Sequence, residues 1–344
     1  MPKNTNPDMS APPLSSLAKP ETDSSNEKNN LLYSPWIWIS LAVFANLLWG
    51  SAFPSVKRGY QLFQIASSDT PSILLFAGVR FMLSGIIAYF LNSLLCRRWM
   101  TLPLRTLPKV MAFGWFNTTL CYTCFYLGVA HSSGTKSSII NGSNAFIAVI
   151  IAHLFGQGDR LNAKKIWAII LGFAGIIILN IGQGQGFTWD FTWLGEGMML
   201  ATATVSAMAN FLSKRLAQSV YPGMLTAVQL SFGGATLALI GLLSGGRLIW
   251  PSDAPVAATL NLLFLALISC VAFSIWTRLL KIHSLSKVSI FKTLIPIFGA
   301  LGSWLFLHEN FLTWQKLLSL ALIVLSIALI NFQRRSPKTL SRAN

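Results

Sequence analysis

Charged side chains are scarce in this chain, since 10% of its 344 residues are charged and 53% are hydrophobic. An ordinary soluble domain is about a quarter charged. Several uncharged runs exceed the roughly 20 residues that a helix needs to cross a hydrocarbon core. A soluble fold could not bury this many apolar helices, so the composition predicts a polytopic membrane protein. These runs cover residues 110–135, 137–158, 166–189, 216–246 and 254–277.

The usual signatures of catalysis and of metal or nucleotide binding are also missing. Cys121 and Cys124 fall inside an apolar run, and the four cysteines suggest no disulfide framework. His308 and Glu309 begin like a zinc-protease motif, but Leu312 stands where a second histidine is needed. The sequence holds no Gly-x-x-x-x-Gly-Lys loop. We therefore expect no enzyme, no cofactor and no metal site, and transport driven by gradients rather than by ATP.

Ten apolar segments are long enough to cross a membrane as helices. Runs of this length do not fit the short alternating strands of a membrane barrel. We predict an all-α membrane protein with ten transmembrane helices. Tryptophans near the predicted span ends, such as Trp36, Trp38, Trp99 and Trp193, are expected to anchor at the membrane interface. The predicted spans are 36–56, 72–95, 108–129, 133–155, 164–184, 192–212, 222–244, 256–279, 285–307 and 312–332.

The second half of the chain repeats the pattern of the first about 150 residues later. Residues 127–131 correspond to residues 279–283, and residues 77–85 correspond to residues 226–234. Because each copy holds an odd number of helices, the second copy must insert upside down relative to the first. Carriers that rock two related halves around a central site are built this way. We predict two inverted five-helix repeats, residues 36–184 and 192–333.

Basic residues outnumber acidic residues by 26 to 10, and their positions indicate membrane topology rather than nucleic-acid binding. If the amino terminus is cytoplasmic, most basic residues fall on the cytoplasmic side, as the positive-inside rule requires. We therefore expect a multi-pass protein of the cell (inner or plasma) membrane with both termini in the cytoplasm. The opposite face receives Lys57, Arg58, Lys136, Arg247 and Lys316.

The two ends of the chain differ from the rest. Residues 1–35 are rich in Ser, Asn and Pro and have almost no apolar periodicity. Such a segment cannot bury enough apolar surface to fold, and it lacks the pattern of a cleavable signal peptide. We predict a disordered cytoplasmic tail there, for which a regulatory role stays open, and a basic cytoplasmic tail at residues 334–344.

Five short motifs follow one another along the chain, at residues 49–57, 79–81, 132–136, 294–298 and 307–309. In this order they resemble the first, second, fourth and ninth helices, and the turn after the ninth, of EamA-type permeases in the drug/metabolite transporter superfamily. The resemblance covers roughly residues 36–333. It implies ten helices in two inverted five-helix repeats, with export or exchange of a small molecule.

The chain also departs from the pattern of that family. The usual Gly-Glu-Arg-Leu turn reads Gly-Asp-Arg-Leu at residues 158–161 and His-Glu-Asn-Phe at residues 308–311. Ala145 stands near the position where the family has a proline. Small multidrug exporters of the superfamily use a glutamate in the middle of the membrane, whereas no acidic residue here lies near the middle of a predicted span. Polyaromatic cations are therefore poor substrate candidates.

Two basic residues lie clearly inside predicted spans, where charge is costly and usually faces a cavity or a partner. Arg80 lies about eight residues into the second span, and Lys292 about eight residues into the ninth. The repeat alignment matches Lys292 with Asn141 and Arg80 with Gln229, so both halves place a polar group at similar depth. We predict that Lys292 and Arg80 bind an anionic group such as a carboxylate. A structural role for Arg80 stays open.

Uncharged polar and aromatic residues within the spans complete the candidate site. Asn46 and Asn210 could equally form hydrogen bonds between helices. The deep tryptophans could line a cavity, although packing is the favoured interpretation for each: Trp49, Trp115, Trp276 and Trp304. The glycines at 172, 175, 233, 234, 299 and 302 are expected to allow close helix packing. The predicted substrate-binding residues are Lys292, Arg80, Asn141, Asn144, Tyr122, Tyr126, Asn46, Asn210 and Trp49.

The sequence therefore predicts a secondary transporter that works by alternating access. We expect it to export a small metabolite of the amino-acid or organic-acid type, with a proton or a counter-substrate as the coupled species. A nucleotide-sugar or phosphorylated-sugar exchanger is the alternative within the same class. A membrane enzyme that handles lipids is the alternative of another class. The expected partners are a small-molecule substrate and the lipid bilayer, without nucleic acid, and the oligomeric state is open.

Overall fold

The computed structural model describes residues 31–131, 140–155, 161–180, 191–295, 297, 298, 301 and 314–331. Within these ranges the chain forms helices and connecting loops without a β-strand, which confirms the predicted all-α class. The glycines at 299 and 302, most of the predicted tail at residues 1–35 and all of the predicted tail at residues 334–344 lie outside these ranges.

Ten helical segments follow one another in the described ranges, one for each predicted span. By length and composition, the first, second, seventh and eighth are long and apolar enough to cross a membrane, and shorter apolar helices accompany them. The segments are α1 (Pro35–Leu62), α2 (Thr70–Leu95), α3 (Leu107–Gly114, Trp115–Leu120 and Cys121–His131), α4 (Asn144–Phe155), α5 (Ala163–Asn180), α6 (Trp193–Gly197 and Met198–Ser219), α7 (Pro222–Leu243), α8 (Pro255–Ile282), α9 (Leu285–Ser289 and Ile290–Leu294) and α10 (Trp314–Asn331).

Helix starts follow ordinary capping chemistry. The Asp69 carboxylate accepts a hydrogen bond from the Ser72 amide at 3.1 Å and so caps α2. Proline lies in the first turn of α7 and of α8, where its missing N–H costs nothing. A 3₁₀ turn at Leu31–Tyr33 precedes α1, so helical structure begins before residue 36. At its other end α1 continues to Leu62, past the predicted limit near residue 56.

The most extensive helix contact joins α2 to α7. A Cβ atom at Gly85 would lie 2.2 Å from the Ser231 amide nitrogen, and one at Gly234 would lie 2.3 Å from the Met82 amide nitrogen. The two backbones therefore touch where no side chain intervenes. Close packing at Gly233 and Gly234 is confirmed, and so is packing at the glycines 172 and 175, which lie against α10.

The exposure of the tryptophans near helix ends fits the interface prediction with one exception. Trp36, Trp99 and Trp193 are exposed, as anchors at a membrane surface require. Trp38 is only 6% exposed. Its ring packs on that of His283 at 4.5 Å and on that of Phe291 at 5.7 Å. The anchoring prediction is therefore wrong for Trp38, because α8 and α9 cover the face of α1 on which it lies.

Candidate functional site

Lys292 lies on a 3₁₀ segment within α9, at Ile290–Leu294. The Ile295 amide donates its hydrogen bond to the Lys292 carbonyl, which is the i to i+3 pattern of a 3₁₀ helix. The residue that would donate to this carbonyl in an α-helix is Pro296, which has no N–H. The proline thus accounts for the tightened turn that carries Lys292.

The Lys292 ammonium is held by two indole rings and one hydroxyl. Its Nζ lies 5.7 Å from the ring centroid of Trp49 and 5.5 Å from that of Trp276, within the range of cation–π attraction. It also donates a hydrogen bond to Ser206 Oγ at 3.3 Å. No carboxylate of the described residues pairs with it, and the residue as a whole is half-buried. In the described part of the chain this is a cation without a counter-charge, held in place by aromatic rings.

The rings around Lys292 are fixed by contacts of their own. The Trp49 ring lies 5.1 Å from that of Trp276 and 5.3 Å from that of Phe273, both edge-on. Trp276 donates its indole N–H to Asn210 Oδ1 at 3.1 Å. Asn210 Nδ2 is then a buried donor without a protein partner. The predicted residues Lys292, Trp49 and Asn210 therefore belong to one connected cluster from α1, α6, α8 and α9.

Arg80 forms the centre of a second polar cluster. The side chain is 7% exposed, and its Nε and Nη1 atoms are buried without a hydrogen-bond partner. Its guanidinium lies 4.4 Å from the ring centroid of Phe81. The Tyr122 ring packs on Phe81 at 4.5 Å, and Tyr126 lies 6.4 Å further along α3. The predicted residues Arg80, Tyr122 and Tyr126 are thus brought together.

The other predicted asparagines lie in different surroundings. Asn144 is buried and donates to the Ala203 carbonyl at 3.0 Å, which joins α4 to α6. Asn46 is fully buried and donates to the Ala42 carbonyl of its own helix at 2.7 Å. Asn141 is half-buried just before α4. Gln229, the repeat counterpart of Arg80, accepts a hydrogen bond from Asn117 at 3.1 Å.

Five neighbours of the two clusters were absent from the predicted site: Ser206, Trp276, Phe273, Tyr60 and Phe81. Depth along the eighth span singled out Trp276 as a residue that could line a cavity, but nothing distinguished that role from packing. Tyr60 falls past the predicted end of the first span and becomes available because α1 extends to Leu62. Ser206 and Phe273 carry no signal of their own in the sequence, since only the tertiary contacts reveal them.

The surface of the bundle carries an apolar groove of about 550 Å³ between α2, α3 and α7. Met82, Phe90, Met111 and Phe232 contribute to its lining, and no charged residue does. An anion would therefore find no counter-charge in this groove. The polar chemistry lies in the two clusters around Lys292 and Arg80.

Comparison with known proteins shows which protein family this chain belongs to. The model of the EamA-like transporter family matches residues 36–181 and again residues 193–332. The chain belongs to the EamA-like transporter family. The predicted resemblance is thereby confirmed, and with its apolar helices the protein is a multi-pass membrane transporter.

Two of the following three relatives of this EamA-like transporter are named as transporters. The uncharacterized transporter YvbV of Bacillus subtilis is 27% identical over 304 residues, which cover 87% of this chain and 92% of that protein. An S-adenosylmethionine/S-adenosylhomocysteine transporter of Chlamydia trachomatis is 22% identical over 282 residues, 78% of this chain and 82% of that one. A chloroplastic WAT1-related protein of Arabidopsis thaliana is 26% identical over 242 residues, 66% of this chain and 57% of that one.

A solved crystal structure also resembles the EamA-like transporter. It superposes with a TM-score of 0.71 at 16% sequence identity, covering 86% of this chain and 97% of the other. At this identity the likeness supports the helical fold and carries no information on the substrate.

Proposed function

We propose that this EamA-like transporter is a secondary carrier that exports an amino acid or organic acid, whose anionic group binds Lys292. The observation that carries the proposal is the Lys292 ammonium inside the helix bundle. It contacts Trp49, Trp276 and Ser206 but has no carboxylate partner among the described residues. A buried charge without a partner is costly, so a substrate anion would supply the missing counter-charge.

Alternating access fits the way the cluster is assembled. Trp49 comes from the first predicted repeat, whereas Lys292, Trp276 and Ser206 come from the second. Relative movement of the two repeats would therefore open and close the ring contacts around the ammonium. Inverted repeats, cytoplasmic termini and export belong to this proposal, and the internal repetition of the sequence supports the first of them.

A second candidate substrate follows from the rings of the cluster. S-adenosylhomocysteine carries a carboxylate and a flat nucleobase, and Trp49 offers an indole face beside the cation. S-adenosylmethionine adds a positive sulfonium, which the Lys292 ammonium would repel. If the substrate is of this type, we expect S-adenosylhomocysteine to be preferred over S-adenosylmethionine.

Uptake into proteoliposomes tests the proposal. Radiolabelled amino acids, organic acids, nucleotide sugars and S-adenosylhomocysteine would be screened with the wild type, and the best substrate would then be measured with Lys292→Met. Met keeps the length of the side chain and removes its charge. We expect kcat/KM to fall about tenfold or more, because a hydrogen bond to a charged group contributes roughly 1.5–3 kcal/mol and about 1.4 kcal/mol is tenfold.

The matched control is Lys57→Met, which makes the same chemical change at an exposed position near the end of α1. This variant should transport like the wild type at equal abundance in the membrane. Wild-type uptake by Lys292→Met would contradict an anion site at this residue. A preference of the wild type for nucleotide sugars over all carboxylates would favour the exchanger alternative.

A further inference from the structure

Arg80 is a second buried cation that the proposed site does not use. More than nine-tenths of its surface is buried, and Nε and Nη1 have no hydrogen-bond partner. Its guanidinium lies close to the ring of Phe81, the next residue in the chain. A guanidinium carries five N–H donors that match the oxygens of a carboxylate or phosphate. Leaving such donors buried and unpaired is costly, which indicates that an oxyanion completes them.

Among the described residues, the surroundings of Arg80 contain hydrogen-bond donors and no acid. Tyr60 of α1 and Tyr122 of α3 lie close enough to interact electrostatically with the guanidinium, and the hydroxyls of Tyr60 and Tyr126 lie within reach of one another. Phenolic hydroxyls can donate to an oxyanion beside the arginine. The carboxylates of the described residues lie elsewhere, at helix ends or in a loop: Asp69, Glu196 and Asp253.

A line of aromatic rings connects the two cations. From Lys292 the line runs to Trp49 at 5.7 Å, from Trp49 to Phe273 at 5.3 Å, and from Phe273 to Phe81 at 6.5 Å. The Arg80 guanidinium lies 4.4 Å from the Phe81 centroid. Phe81 is 1% exposed and holds the line together from within the core, whereas Trp49 and Phe273 are partly exposed. The ring surface of these two residues favours a flat apolar body, which packs against ring faces and edges.

We propose that Arg80 forms a second anion subsite, so that the transporter prefers flat substrates with an anionic group at each end, one for Lys292 and one for Arg80. This inference rests on the proposed function. A monoanion would leave one of the two cations without a counter-charge in the bundle, whereas a dianion compensates both. A zwitterionic amino acid or a sulfonium would add positive charge between them, which the two cations oppose. The second subsite therefore narrows the proposed substrates from amino acids and organic acids to organic acids with two anionic groups.

Counterflow in proteoliposomes can test this preference directly. The probes are two diacids of different length, benzene-1,4-dicarboxylate and biphenyl-4,4′-dicarboxylate, each compared with its monoacid, benzoate or biphenyl-4-carboxylate. At least one diacid should be transported about tenfold better than its monoacid, since one added charge-assisted hydrogen-bond pair corresponds to about that factor. Two lengths are used because the distance between the two carboxylates of a diacid must match the distance between Lys292 and Arg80.

The matched variants are Arg80→Gln and Arg58→Gln. Arg58 is exposed and near the end of α1, so its substitution should leave the diacid preference as in the wild type. Arg80→Gln should lower kcat/KM for the diacid about tenfold more than for the monoacid. A purely structural Arg80 would lower both alike.

The outcomes separate this inference from the proposed function. If the wild type transports no acid above empty liposomes, the proposed function itself fails. If it transports each monoacid as well as its diacid, or if Arg80→Gln lowers both alike, the second subsite is refuted and the carrier of single anions stands. If Arg80→Gln does not reach the membrane, the wild-type ratio of diacid to monoacid still decides.

Discussion

At the scale of single residues, His283 shows how a titratable group is enclosed at the end of the bundle. It follows the last turn of α8, beyond the predicted span, and its Nε2 contacts the Leu32 carbonyl at 3.0 Å. Its ring packs on Trp38, and Lys214 donates a hydrogen bond to its carbonyl. Burial lowers the pKa of His283 below the ordinary histidine value, against the opposing effect of the Leu32 carbonyl, and the charges of Lys287 and Lys214 lower it further.

A pH dependence of stability follows from this lowered pKa. The unfolded chain binds the proton more readily than the folded chain, so the stabilisation is present above the unfolded value of about 6.5 and is lost as the pH falls toward the folded pKa. The Tm of the purified protein in detergent should therefore drop between about pH 7.5 and about pH 5.5. His283→Gln should make this drop smaller.

His131→Gln is the control for this experiment, because His131 is exposed at the end of α3. Its Tm should depend on pH as that of the wild type does. An unchanged pH dependence in His283→Gln would show that other groups cause the effect.

At the scale of elements, the crossing of α2 and α7 depends on glycines at the point of contact. An alanine at a helical glycine normally stabilises by roughly 0.5–1 kcal/mol. At Gly85 the added methyl group would lie 2.2 Å from the backbone nitrogen of Ser231. Backbone atoms cannot move aside without separating the two helices, so Gly85→Ala should destabilise by about 1–3 kcal/mol through overpacking.

The comparison for this prediction is Gly197→Ala, near the start of α6. A Cβ there would lie 3.1 Å from the exposed Trp193 ring, which can move. Thermal unfolding in detergent should rank Gly197→Ala at or above the wild type and Gly85→Ala clearly below both. Equal melting temperatures for the two variants would mean that the α2–α7 crossing is less tight than the structure indicates.

Helix irregularities are the elements that sequence reasoning predicted least well. A π-helical piece at Trp115–Leu120 interrupts α3, and a 3₁₀ segment carries Lys292 in α9. Pro54 and Pro296 were visible in the sequence as sites where a hydrogen bond is lost. The π-helical piece contains no proline, and the sequence offered no marker for it.

At the scale of the whole molecule, the helix contacts follow the predicted repeat. Helices that the repeat equates lie against each other: α2 against α7, α4 against α9, and α5 against α10. The contact of α1 with α8 has its counterpart in that of α6 with α3. A pseudo-twofold relation between the halves would produce this pattern. The inverted orientation and the boundaries at residues 36–184 and 192–333 stay predictions.

Reporter fusions test the inverted topology. A reporter fused after Arg335 should be active in the cytoplasm, and one inserted at residues 185–191 should report the opposite face, because each half contributes an odd number of spans. A fusion at Val220, in the connection between α6 and α7 that is predicted to be cytoplasmic, is the positive control. A cytoplasmic signal from residues 185–191 would rule out the ten-span topology.

The sequence by itself determined that this is a helical membrane protein and predicted ten spans, because a hydrocarbon core admits only long apolar segments whose backbone groups are internally bonded. It also singled out Lys292 and Arg80, since charge within a span is rare and costly. Only the tertiary structure decided which groups meet these cations. Trp49, Trp276, Ser206 and Phe273 come from three helices far apart in the chain, and their convergence depends on helix packing. Sequence spacing along any one helix does not contain that information.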